Sequence, residues 1–154
     1  MRLVFSLLLA LVLIGFAAVL PAQPVSTSAH ERTLLAESFA REKLSVWQKR
    51  LNLQDWDVAL EVVRSTQLRP KTLGNIRWDA EKKTALIRVL DPADYRLLHG
   101  EMLDDMEFTI VHELIHLEMA PVLSRFARSD ADRIEEEHAV NYMAGALLRL
   151  DRGR

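Results

Sequence analysis

The chain has 154 residues, 49% of them hydrophobic and 27% charged, a balance that suits one globular domain and excludes a disordered, highly charged chain. With 22 acidic against 20 basic residues the formal charge is -2 and no long basic run is present, so no nucleic-acid partner is expected. Cysteine is absent, which excludes a disulfide framework, a thiolate metal site and lipid attachment through a thiol.

After Arg2 the run LVFSLLLALVLIGFAAVL carries no charge, and it gives way through PAQP to the polar VSTSAHERT. A short positive start, an apolar run and a small residue before a polar segment describe a secretory signal peptide over 1–22, cut after Ala22. The alternative is an uncleaved N-terminal anchor, because an apolar run of about 18 residues reaches the lower edge of spanning length. Either way the remainder is expected to be exported, periplasmic or secreted, meeting a membrane only through residues 3–20 if they are retained. Residues 23–33, with His30, read as a linker, and 34–154 as one domain.

The domain predicts an α+β order. Apolar residues recur at helical spacing over 31–53, with Leu35, Phe39 and Val46 on one line and Ala40, Leu44, Trp47 and Leu51 on another. DWDVALEV then alternates, Trp56, Val58, Leu60 and Val62 against Asp57 and Glu61, as a half-buried strand does. TLGNIRWD and TALIRVL predict two further strands joined by a hairpin at 80–83, giving a small three-stranded antiparallel sheet. Trp47, Trp56 and Trp78 fit the apolar patterns and are expected in the core. DPADY is turn chemistry, because Pro92 pushes Asp91 out of helical geometry. A long helix follows over 97–119, limited by Pro121, and a last helix starts at Ser129 as N-cap, with Asp132 completing a capping box.

The long helix contains EFTIVHELIHLEM at 107–119, an H-E-x-x-H pattern. Residues four apart on a helix differ by about 40° around the axis, so His112 and His116 project side by side and can share one ion. Glu113 lies about 60° round from His116, close enough to meet a water on a metal but not naturally a third ligand. The rest of this helix is apolar nearly all round. Burying two imidazoles and a carboxylate there without partners would cost several kcal/mol, and a metal accounts for all three.

Zinc needs a third protein ligand and keeps the fourth position for water. The glutamates at 135–137 read at first as a solvated helix face. Phasing at about 100° per residue separates them. Glu137 falls inside the apolar arc of Val140, Met143, Ala144, Leu147 and Leu148, Glu136 at its edge and Glu135 outside it. Glu137 is therefore the expected third ligand, with Glu136 as the substitute if the phase slips by one residue. Asn141, one turn on, could hold the far nitrogen of a ligand histidine. His138 points to the surface.

H-E-L-I-H followed about twenty residues later by E-x-x-x-N, with a strand hairpin ahead, resembles the compact glutamate-ligand zinc peptidases, the gluzincins. The likeness is closest to minimal zincins of the ImmA/IrrE-like type, where a segment similar to EHAVNYMAGALL follows the histidine helix. It covers residues 53–148. Ile115 stands where those relatives often have glycine, RLDRGR replaces a proline after the final leucines, and those relatives are typically cytoplasmic. The resemblance implies a zincin-like fold, one Zn2+ per chain, and peptide hydrolysis by a metal-activated water with Glu113 as general base. The substrate, a peptide or protein, would lie extended along the sheet edge. An oxyanion donor would come from Tyr95, His99, Arg128 or Tyr142. The other reading is a zincin-like domain whose metal is structural or lost, acting as a binding module of the cell envelope. The intact Glu113 favours the enzyme, because a structural site has no need of it.

Overall fold

The computed structural model describes residues 28–153 and runs α1 (Ala29–Arg50), β1 (Asp57–Val63), β2 (Gly74–Asp79), β3 (Thr84–Leu90), α2 (His99–Leu123) and α3 (Asp130–Asp151). The α+β class and the order of elements are those expected. The signal or anchor segment at 1–22 lies outside the described residues. Among the described residues no helix is long and apolar enough to cross a membrane.

Ser28 opens α1 with a reciprocal capping box to Glu31, so the helix takes in residues 29–33, which the sequence reading places in the linker. Its buried stripe is Ala36, Ala40, Leu44 and Trp47, one residue per turn. The helix stops at Arg50 because Asn52 adopts a positive φ of 57°. The Asn52 N–H then bonds the Lys49 carbonyl and the Leu53 N–H bonds the Gln48 carbonyl, the paired bonds of a Schellman end.

The sheet departs from expectation. Its order is β1-β3-β2, with β2 and β3 antiparallel but β1 and β3 parallel, so it is mixed rather than antiparallel. The hairpin at 80–83 forms as predicted. The connection at 64–73 carries the chain past the central position, so β2 becomes the outer strand and the hairpin folds β3 back between it and β1. Strand alternation reports which residues share a face but not which neighbour a strand takes, and this topology was invisible to it.

Register puts Val58, Leu60 and Val62 beside Ala85, Ile87 and Val89, and these beside Trp78, Ile76 and Gly74, on one face. That face packs on α1 and α2, while Asp57, Glu61, Arg77 and Arg88 occupy the other. Central β3 is the most buried strand, and among the described residues no strand pairs with the outer edge of β2. Trp47 is core and Trp56 packs against it, whereas Trp78, expected in the core, is 42% exposed because it rides on the outer strand.

The middle of the domain is α2, whose Met106, Ile110, Leu114 and Leu117 are fully buried. Truncating any one to alanine is worth about 2–5 kcal/mol. The helix runs through Pro121 to Leu123 instead of ending before it. In the last turn a proline forfeits little more than its own N–H bond, and the Ser124 N–H still reaches the Ala120 carbonyl. The three helices are also joined by one buried carboxylate. Glu107 accepts from Trp47 Nε1 of α1 at 2.9 Å and from Arg152 Nη2 just past α3 at 2.9 Å, with Lys43 Nζ at 3.2 Å. Burial alone would raise its pKa, but Trp47, Arg152 and Lys43 together hold it below the usual glutamate value.

α3 opens with the expected box, the Asp132 N–H donating to Ser129 Oγ at 3.2 Å and the Ser129 N–H to Asp132 Oδ2 at 2.8 Å. It buries Val140, Ala144 and Leu148 against α2 and leaves Met143 and Ile134 exposed, so its buried stripe is narrower than the sequence implied.

Candidate metal centre

The stretch of α2 from Thr109 to His116 carries the candidate groups, and Gly74 sets how closely it approaches the sheet. A Cβ on Gly74 would stand 2.5 Å from Thr109 Cγ2 and 2.7 Å from the Arg88 carbonyl oxygen, with Glu113 Oε1 3.6 Å away. Only glycine fits between the start of β2 and this helix. The Glu113 carboxylate consequently sits over the end of the outer strand.

The two histidines meet as the helical spacing requires. His112 Nε2 and His116 Nε2 are 3.0 Å apart. Across from them α3 presents Glu137, whose Oε2 is 3.3 Å from His112 Nε2 and whose Oε1 is 3.3 Å from His116 Nε2. His112, Glu113 and His116 offer ligand atoms that all lie within 4.8 Å of one another. The structure thus brings His112, Glu113, His116, Glu137 and Asn141 into one place.

The rear nitrogens are held separately. His112 Nδ1 faces Asn141 Oδ1 at 3.1 Å, the contact expected of Asn141. His116 Nδ1 faces Glu136 Oε1 at 3.0 Å, and Glu136 Oε2 takes a hydrogen bond from Arg128 Nη1. Both rear partners are acceptors, so each Nδ1 carries the proton and each Nε2 presents a lone pair. Two imidazole nitrogens and a carboxylate converging within about 3.3 Å can share a proton or a cation placed between them. Two imidazoles and a carboxylate are the donor set of a catalytic zinc site, so the residues fit the metal.

Glu137 was singled out as the buried glutamate, yet its side chain is 55% exposed, and it is Glu136 that is enclosed at 13%. The first turns of α3 overhang an open cleft, so the position that faces α2 is not sealed there. The role of Glu136 behind His116 was missed, although its place at the edge of the apolar arc was the available signal. Gly74 was missed as part of the site, and Arg128, expected as an oxyanion candidate, is instead the partner of Glu136; in both cases the contacts are made through the fold and not through a local pattern.

The acid groups of the site differ in environment. Burial, with the Glu137 charge adding to it, pushes Glu113 up to about 8. No hydrogen bond from the described residues reaches its carboxylate. Burial and the neighbouring His116 lower the His112 pKa against the opposing pull of Glu137 and Asn141. Asp105, two turns before His112, is raised by burial. Its Oδ2 and the Tyr95 hydroxyl are buried with no well-formed partner other than one another, and burial, with the Asp105 charge beside it, pushes the Tyr95 hydroxyl well above its ordinary value.

The groups open into a cleft of about 850 Å3 lined by α2, β2, the connection before β2 and the start of α3. Of the four oxyanion candidates only Arg128 lines it. Its guanidinium is engaged by Glu136. Tyr142 is 78% exposed, His99 is exposed and Tyr95 does not line the cleft. His138 and His30 are exposed, with His30 in α1 rather than in a linker.

No protein-family model, curated protein or solved structure matches this chain. The chemistry of the site therefore has to be read from its own geometry.

Proposed function

We propose that this protein is a zinc-dependent peptidase of the compact glutamate-ligand type, acting outside the cytoplasm on peptide or protein substrates. The observation that carries the reading is the convergence of His112 Nε2, His116 Nε2 and both oxygens of Glu137 within 3.3 Å, with each histidine's other nitrogen already committed. His112, His116 and Glu137 would hold one zinc per chain, leaving a position for water. Bound there, zinc supplies Lewis acidity: it brings the pKa of water towards neutrality and polarises a scissile carbonyl.

The remaining work falls to this chain's side chains. Glu113 takes the proton of the attacking water on its carboxylate, holds it in a buried site, and returns it to the departing amine. Its lack of donors favours that task, because a carboxylate already tied by hydrogen bonds is a poor base. Asn141 and Glu136 fix the histidine rings, and Arg128 fixes Glu136. The outer edge of β2 gives an extended peptide backbone partners beside Glu113, while Gly74 keeps the strand close enough for that.

Metal analysis with two substitutions tests this. The purified protein is expected to hold one zinc, Glu137→Gln to weaken its binding sharply, and Glu113→Gln to keep the metal while losing peptide cleavage. Absence of zinc from protein prepared without chelators sinks the site. Full activity of a zinc-loaded Glu113→Gln variant sinks the mechanism. Release of the metal by Glu136→Gln but not by Glu137→Gln transfers the ligand role by one residue.

A further inference from the structure

The cleft has a floor and walls of different charge. Its lining carries five basic and four acidic side chains. Of the basic groups, Arg128 is spoken for by Glu136. Arg69, Lys71, Arg77 and Arg133 are exposed, and among the described residues none of them has a carboxylate in salt-bridge contact. Elsewhere on the surface, basic groups across from an acid take it as partner, as Arg50 does Asp151, Arg64 does Asp94 and Arg88 does Glu61.

Three of these cations, Arg69, Lys71 and Arg133, lie on two sides of the cleft that holds the histidines. Arg69 and Lys71 sit on the connection before β2, and Arg133 stands in the first turn of α3 across the cleft, while Arg77 belongs to the sheet face turned away from α2. The carboxylates belong to the floor. Glu136 is neutralised by Arg128, Glu137 faces the histidine nitrogens, Glu113 is buried and Asp105 is half-buried on α2. A chain lying between β2 and α3 would therefore meet positive walls, on a protein whose own formal charge is -2. Unpaired charge of one sign around a concave site concentrates ligands of the other sign and orients them.

We infer that the cleft selects acidic peptides, with aspartate or glutamate side chains on both sides of the bond held over His112 and His116. The inference rests on the peptidase reading and supplies its substrate class. Charge would act here on binding and register, with the floor residues left to the chemistry.

The test uses the zinc-loaded protein and three fluorescent ten-residue peptides of one backbone, differing only in whether the flanking positions are glutamate, glutamine or lysine. Anisotropy is expected to show the acidic peptide binding about ten-fold tighter than the neutral one, from a few exposed charge pairs, with the lysine peptide weakest and the gap closing in high salt. The double substitution Arg69→Glu, Lys71→Glu should reverse the order, and Arg133→Glu alone should reduce the preference. Equal affinity for the three peptides, or a preference that survives both variants, overturns the inference. A single-stranded RNA ten-mer binding more tightly than the acidic peptide overturns it as well. Cleavage followed on the same peptides separates the two proposals. Cleavage without charge preference removes only the substrate class, and acidic preference without cleavage removes only the peptidase.

Discussion

Two buried glutamates stand six residues apart on α2, and their surroundings are opposite. Glu107 is enclosed by Trp47, Lys43 and Arg152, and these donors hold its pKa below the ordinary value despite burial. Glu113 is buried beside the two histidines with no hydrogen-bond donor from the described residues, and burial with the Glu137 charge pushes its pKa up to about 8. A buried carboxylate with full partners is a structural tie, and removing it leaves those partners stranded. A buried carboxylate without partners is a cost to folding, retained where proton transfer needs it. The same residue type on one helix is thus a fully partnered tie at 107 and an unpartnered group at 113, the one to which the proposed function gives the proton transfer.

The largest effect expected of this contrast is on catalysis. Glu113→Gln should lower peptide cleavage by roughly 10²–10⁴-fold, as loss of a general base does, without lowering the thermal midpoint of the protein. Glu107→Ala should do the reverse. Leaving buried donors unpaired is worth about 3–5 kcal/mol in urea unfolding, while the activity of the molecules that remain folded stays near that of the parent. If Glu113→Gln destabilises as much as Glu107→Ala, the distinction between the two carboxylates is wrong.

Behind the histidines the effects are smaller. Glu136→Gln, which keeps the shape but loses the charge facing His116 Nδ1, should weaken zinc about 10–100-fold in chelator competition, and Arg128→Ala by less. Gly74→Ala forces a methyl group against Thr109 and the Arg88 carbonyl and should destabilise by about 1–3 kcal/mol. The last expectation is a pH dependence. Glu107 has a depressed pKa in the folded protein, so its stabilisation is present above the unfolded value and fades as pH falls through the folded one. The stability gap between the parent and Glu107→Gln should be widest near neutrality and narrow below about pH 4, as glutamates become protonated. A gap that is constant with pH would show that Glu107 carries no charge in the fold.

Local patterns in the chain foretold much of this. Helical spacing paired His112 with His116 and set Glu113 beside them, the Ser129–Asp132 box located the start of α3, and strand alternation sorted Leu60 and Ile87 onto the inner face. These properties depend on the covalent geometry of a single element and survive without its neighbours. Phase also delivered Glu137 to the histidines, though for a reason the structure corrects: it faces them across an open cleft and not from within the core.

What only the tertiary structure decided concerns groups brought together across long stretches of chain. The parallel pairing of β1 with β3 depends on which strand the hairpin inserts beside. The need for glycine at 74 arises from a helix that begins 25 residues later. Trp47, Arg152 and Glu107 each look ordinary in sequence and become a buried tie only when three helices pack. The histidine pair could be read from one helix because its geometry is that helix's own. The partners that set the charge and pKa of each buried carboxylate come from other elements, and packing alone determines who they are.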